Sequence, residues 1–335
     1  MPRKARIDAP GALQHIIVRG IEKRKIFKDD KDYFEFIKRL GAILSESETP
    51  IYAWASMPNH VHLLLRTGLT PIATIMRRLL TGYAVYFNRR YRRHGHLFQN
   101  RYRSILCQEE PYFLELVRYI HLNPLRAKLV GDLRALAKYP YCGHSAVVGA
   151  VKRDWQQVDY VLKFFDDRKS EARKAYQQFV KEGVSQGRRP DLTGGGLLRS
   201  VGGWRALSEL RDEAVRVKGD ERILGDTDFV ESVLKKADEQ LERRHRLRAE
   251  GFNLDRVGAR VATVMNIPLE RVWERSRRPG VVDARDLLCY WASKELLMSK
   301  TDLAKRLNLS QPAVSIAVRR GEKIAKENQY RLIKE

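Results

Sequence analysis

Cysteine is scarce in this chain. Cys107, Cys142 and Cys289 are the only three in 335 residues, and no two form a C-x-x-C pair. Neither a zinc knuckle nor a disulfide framework is expected from them. Long apolar runs are missing too, and nothing approaches the roughly 20 residues needed to span a bilayer. Met1–Gln14 is basic and then loop-like, without the apolar stretch of a secretory signal. The expected location is therefore the cytoplasm, in association with the nucleoid and away from membranes. There is no G-x-x-x-x-G-K-[ST] loop to cradle a nucleotide, which argues against an attached motor or helicase. Internal repeats and low-complexity tracts are absent as well. Acidic residues are outnumbered, with 41 Asp+Glu against 64 Lys+Arg and a net charge of +23. A field of that sign attracts polyanions and speeds encounter with them.

The basic residues come in clusters interleaved with aromatics: Arg89-Arg90-Tyr91-Arg92-Arg93, then Arg101-Tyr102-Arg103. Guanidinium groups meet phosphate while rings stack on bases, so this mixture favours nucleic acid over an anionic membrane as the partner. Hydrophobic residues make up 43% of the chain, enough for real cores. The length suggests two domains or three.

Periodicity gives strands at 12–18, 51–57 and 60–66, an extended segment at 97–108, and helices at 29–44, 70–91 and 110–130. Met57-Pro58-Asn59 is a turn, so the second and third strands form a hairpin. The order predicts an α+β domain over residues 1–150, a ferredoxin-like antiparallel sheet with helices on one face. Residues 151–203 read as a helical trailer and Gly-rich linker, and 204–335 as an α-helical domain.

In His60-Val61-His62 the two imidazoles share one face of a strand and could hold one metal ion. A pair of hydrogen-bonded structural histidines is the plainer alternative. His94-Gly95-His96 lies in an Arg- and Gly-rich turn, where positive surroundings disfavour a cation, so a DNA-facing loop is expected there. On the helix that follows, Tyr119 and Asn123 are one turn apart on one face, with Tyr112 two turns earlier. Packing against the sheet would account for them individually. Together with the histidines they make a mechanism. A divalent ion on His60, His62 and the Asn123 amide oxygen would act as Lewis acid while Tyr119 attacks phosphorus. The products would be a 5′-phosphotyrosine and a free 3′-OH.

Met57-Pro58-Asn59-His60-Val61-His62-Leu63-Leu64-Leu65 and Arg118-Tyr119-Ile120-His121-Leu122-Asn123-Pro124-Leu125-Arg126-Ala127 resemble the two signature motifs of the HUH single-tyrosine transposases. The branch they are most similar to is the REP-associated tyrosine transposases, which act near palindromic repeats. Pro2-Arg3-Lys4-Ala5-Arg6 and Gly95-His96-Leu97-Phe98-Gln99-Asn100-Arg101-Tyr102 resemble that branch as well, so the likeness covers about residues 1–150. It implies His60, His62 and Asn123 as ligands of Mg²⁺ or Mn²⁺ and Tyr119 as nucleophile. It also implies single-stranded or hairpin DNA as substrate. Candidate DNA contacts of this domain are Arg89, Arg90, Arg92, Arg93, Gln99, Arg101, Arg103, Arg118 and Arg126.

Lys300–Arg320 reads as helix-turn-helix. Ala304 allows close helix approach, Asn308 suits a left-handed turn, and Ser310 caps a second helix. Gln311, Ser315, Arg319 and Arg320 are candidates for duplex contact. With Asp283-Ala284-Arg285-Asp286-Leu287-Leu288 as lead-in, this region resembles the C-terminal helix-turn-helix of the replication initiator DnaA. The expected function is a metal-dependent single-stranded DNA endonuclease and transesterase of the transposition class. The rivals are a DNA-binding regulator without cleavage activity and a relaxase or replication-initiation nicking enzyme. A homodimer is left open.

Overall fold

The computed structural model describes residues 11–68, 70–187, 189, 192, 220, 222–226, 228–235, 247, 250–276, 278–296 and 298–333. The basic opening Pro2–Arg6, most of the Gly-rich segment 187–203 and the start of the expected helical domain at Trp204 lie outside those residues. The chain divides into two compact units, residues 1–233 and 234–335.

The first unit is built on β1 (Leu13–Arg19), β2 (Ile51–Met57), β3 (His60–Arg66), β4 (Arg103–Cys107) and the short β5 (Ile223–Leu224), in the order β2-β3-β1-β4-β5. Pro58 and Asn59 turn the chain between β2 and β3, and Met57 pairs with His60, so the expected hairpin forms. The first three pairings are antiparallel. β5 joins β4 in parallel, Leu106 opposite Ile223, so a short strand forms inside the region that sequence periodicity reads as mostly helical.

The α+β architecture is as expected, but helices cover both faces of the sheet. α1 (Asp30–Ser47) starts on Asp29, whose carboxylate accepts from the Asp32 N–H. With α2 (Ile72–Arg90) it packs on Ile16, Val18, Trp54, Val61, Leu63 and Leu65. α3 (Glu109–Arg126) brings Phe113, Leu116, Val117 and Ile120 onto the other face, against Leu13, Ile17, Ala55, Leu64 and Ile105. The cause is in the strands. β2 is buried along its whole length and β1 nearly so, and strands apolar at both parities need cover on both sides. At roughly 1.5–3 kcal/mol per large apolar side chain buried, neither layer is dispensable.

Residues 151–185 of the expected trailer pack into the core together with residues 131–150. They form α4 (Leu133–Lys138), α5 (His144–Val147), α6 (Val158–Leu162) and α7 (Lys169–Glu182), which join the core on the α3 side. Their connections also run along the outer edge of β2, through Ser56 N–H to Tyr141 O at 2.9 Å, Gly143 N–H to Trp54 O at 2.8 Å and Gln157 N–H to Ile51 O at 2.9 Å. Gly143 permits this approach, since a Cβ there would stand 2.9 Å from His121 Nε2 and 3.0 Å from the Trp54 ring.

In the second unit α8 (Leu254–Met265), α9 (Leu269–Trp273), α10 (Pro279–Lys294), α11 (Lys300–Arg306) and α12 (Gln311–Glu327) enclose Val257, Leu287, Leu288, Trp291, Leu303 and Val314. α11 and α12 are joined as the sequence suggests. Asn308 is left-handed at φ 51°, and the Ser310 hydroxyl accepts from the Ala313 N–H. α10 and α12 touch at Gly321, where a methyl group would collide with the Asp286 carbonyl oxygen. No helix among the described residues is long and apolar enough to cross a membrane.

Candidate active site

Strand register decides which side chains meet. His62 lies opposite Ile17, and Arg19 opposite His60. His15, Ile17 and Arg19 therefore share one sheet face with His60 and His62, the face that α3 covers. His15 Nε2 and His62 Nδ1 are 2.9 Å apart, one ring donating to the other's lone pair. The two rings stack at 5.2 Å. Tyr119, half-buried on α3, stands edge-on to both, 5.9 Å from His62 and 6.2 Å from His15. The structure thus sets the expected nucleophile against His62 of the expected pair, whose other member, His60, is next to His62 at 5.1 Å. His15 was not anticipated. Its only sequence signal is a polar residue at an inward position of an apolar strand, and recognising its partner needs the register.

The histidines are held neutral. Burial, then the Arg19 charge, lowers the His60 pKa to about 4. Burial, then His15, His60 and Arg19, lowers that of His62 well below its ordinary value. Asn59 fixes the His60 tautomer. Its amide NH₂ donates to Lys23 O at 3.1 Å, so its oxygen is the atom 2.6 Å from His60 Nδ1. Nδ1 then carries the proton and Nε2 the lone pair, the arrangement a metal-binding imidazole adopts. The Asn123 amide NH₂ donates to Tyr119 O at 3.1 Å, which leaves its oxygen as a donor atom. Among the described residues no group of three or more His, Cys, Asp or Glu could hold a metal. The candidate set is instead two neutral imidazoles and an amide oxygen, a mixed set open to Mg²⁺ or Mn²⁺ and also to softer divalent ions.

Polar contacts clamp the tyrosine helix from both ends. At its start, Glu109 pairs with Arg66 of β3 and accepts from the Tyr160 hydroxyl at 2.6 Å. Further along, His121 and His144 each place Nδ1 against the buried Tyr176 hydroxyl of α7, at 2.7 and 2.8 Å. Burial lowers both histidine pKa values, that of His144 to about 4.

The expected DNA contacts divide. Arg89, Arg92, Gln99, Arg101 and Arg103 are exposed, as are Gln311, Arg319 and Arg320 in the second unit. Arg93 is half-buried, its guanidinium 5.7 Å from the Phe87 ring. Arg118 is a correction: it is 6% exposed and bound to Glu115 at 2.6 Å, with Phe179 beneath it. Arg90 is likewise committed inside the fold, to Asp29 and Asp32 at 2.6 Å. Ser315 donates to Gln311 O and accepts from Lys300. Arg126 is half-buried and lies over the Tyr119 ring. Clustering of arginines in sequence carries no information about which of them meet carboxylates in the fold.

Residues 11–123 match the family model described as "Transposase IS200 like". No curated protein matches the chain. A solved structure titled "Structure of the REP associates tyrosine transposase bound to a REP hairpin" is similar at 17% identity and a TM-score of 0.37, over 47% of this chain and 93% of that one.

Proposed function

Starting from an IS200-like transposase segment at residues 11–123, we propose that the protein is a metal-dependent endonuclease and transesterase acting on single-stranded DNA near hairpins. The observation that carries this reading is the Tyr119 ring set edge-on to His62 at 5.9 Å, beside His60 on the same strand face. His60, His62 and the Asn123 amide oxygen would hold Mg²⁺ or Mn²⁺. The ion would supply Lewis-acid stabilisation of charge on the scissile phosphate. Tyr119 Oη forms the new bond to phosphorus, and the bond to the 3′ oxygen breaks. The phenol proton leaves to solvent, and the departing 3′ oxygen takes a proton to become a free 3′-OH. The phosphotyrosine conserves the energy of the bond, so the same 3′-OH or another can reverse the step.

His15 supports this as a positioning group, holding the His62 ring in one orientation. In the second unit, α11 and α12 fit a helix-turn-helix that meets duplex DNA through Gln311, Arg319 and Arg320. It would set the nuclease beside its hairpin. The test is direct. With Mn²⁺ or Mg²⁺ and a single-stranded oligonucleotide flanking a hairpin, the protein should form a denaturant-stable covalent adduct, which Tyr119→Phe should lack. An adduct that survives in Tyr119→Phe but disappears in Tyr112→Phe would overturn the assignment.

A further inference from the structure

Arg126 closes α3 two turns after Tyr119, on the same helical face. Its guanidinium carbon lies 5.6 Å from the Tyr119 ring centroid. Nη2 donates to Gly183 O, at the C-terminus of α7, at 3.2 Å. Nε and Nη1 are shielded from water and have no hydrogen-bond partner among the described residues. The two arginines whose charges act on Arg126, Arg118 and Arg189, are both bound to Glu115, at 2.6 and 2.7 Å. Burial pulls the Arg126 pKa down, Arg118 and Arg189 add to that, and the attraction that opposes them comes from Tyr119.

A desolvated cation with two unmatched N–H groups is costly. A fold keeps such a feature where it serves the site. A favourable place at the helix C-terminus accounts for a cation here, but not for one drawn inward over a ring.

We propose that Arg126 is a positioning residue, which α7 holds through Gly183 O and which in turn fixes the Tyr119 ring over the histidine face. The inference rests on Tyr119 being the nucleophile. It also gives α7, outside the segment that matches the transposase family model, a role in aiming that nucleophile. His15 and His62 bound the ring from the sheet, and Arg126 bounds it from the helix end.

The test uses the full chain with Arg126→Met, which keeps bulk without charge, and Arg126→Lys, which keeps charge. Arg126→Met should lower the single-turnover cleavage rate at saturating oligonucleotide by about thirtyfold, equivalent to ~2 kcal/mol for a desolvated cation–π contact at 1.36 kcal/mol per tenfold. Arg126→Lys should recover part of that loss. Affinity for the same oligonucleotide, measured in a Tyr119→Phe background, should be unchanged by Arg126→Met, as should its salt slope. A double-variant cycle of Tyr119→Ala with Arg126→Met should show coupling of about fivefold or more in the unfolding equilibrium.

Weaker binding with a lower salt slope and an unchanged saturated rate would overturn the inference in favour of a phosphate contact. Zero coupling overturns it whatever the enzyme does. If Arg126→Met does not fold, Arg126→Lys decides the matter, and a lysine variant with the wild-type rate and no coupling to Tyr119 overturns the inference. Wild type that makes no Tyr119-dependent adduct refutes the proposed function instead, leaving the coupling measurable.

Discussion

Acid should loosen the first unit through His144, and the size of the effect follows from its burial. His144 and His121 share one tyrosine hydroxyl, at 2.8 and 2.7 Å. A hydroxyl donates only once, so one imidazole donates to it and the other accepts; the accepting ring must be neutral, and burial disfavours the charge on either. Protonating the accepting ring places an N–H of each ring against the oxygen and strands the Tyr176 proton, and protonating the donating ring puts a charge on its buried Nε2 side. Burial accordingly lowers the His144 pKa from 6.5 to about 4. The unfolded chain then binds the extra proton first, so stability falls as pH drops. This contribution is flat above about pH 6.5, declines through the interval below it, and levels off near pH 4. Over that interval the loss is roughly 3 kcal/mol, taking ~1.4 kcal/mol per pH unit, which is a large part of the 5–15 kcal/mol typical of domains. The assay is denaturant unfolding of wild type and His144→Gln across the pH series. At about neutral pH the variant should be the less stable, and the difference should shrink by roughly 3 kcal/mol near pH 4. Subtracting the two removes the carboxylates, such as Glu109 and Glu115, whose lowered pKa values make them lose stability in a more acidic window. A difference that stays constant with pH refutes the buried-neutral argument.

Several other outcomes are expected. His60→Ala and His62→Ala should each abolish cleavage, as should EDTA, with Mn²⁺ or Mg²⁺ restoring the wild type; full cleavage in EDTA removes the Lewis-acid role. Perfect duplex should be left intact, because the tyrosine must reach an exposed backbone, and efficient nicking of blunt linear duplex would point to a different enzyme class. Arg319→Ala and Arg320→Ala should weaken duplex binding and reduce the salt slope by roughly one unit per lost phosphate contact, with cleavage of a short single strand unchanged. An unaltered slope would deny α12 that contact. Gly321→Ala should destabilise the second unit by about 1–3 kcal/mol, read as a lower denaturant midpoint, because the Asp286 backbone cannot move aside.

What the sequence disclosed follows the range of the interactions involved. The hairpin of β2 and β3, the face shared by Tyr119 and Asn123, and the turn at Asn308 are set by neighbours within a few residues. Local pattern reveals such features. The second helical layer was also legible in principle: Leu13-Gln14-His15-Ile16-Ile17-Val18 and Ile51-Tyr52-Ala53-Trp54 do not alternate as half-exposed strands should. His15 was hidden because its importance depends on strand register. Arg90 was misjudged because Asp29 and Asp32 become its partners only once the helices pack, whereas the partner of Arg118, Glu115, sits three residues earlier on the same helix and was within reach of local pattern. β5 is two residues long and pairs with a strand over a hundred residues earlier, beyond any local signal.

That small strand has a consequence for the molecule's solubility. With residues 141–157 bordering β2 and β5 bordering β4, both margins of the sheet are occupied. Leu106 N–H reaches Arg222 O at 2.7 Å and Gln108 N–H reaches Leu224 O at 2.8 Å. Remove the chain beyond 187 and these amides face water on a strand whose inner residues are apolar, an invitation to pair with the same strand of another molecule. A shortened protein meant to isolate the nuclease would then self-associate through β4, and the oligomers seen would be produced by the cut. The smallest well-behaved nuclease should therefore run past Asp226, whose carboxylate ties down Gln108 at 2.7 Å.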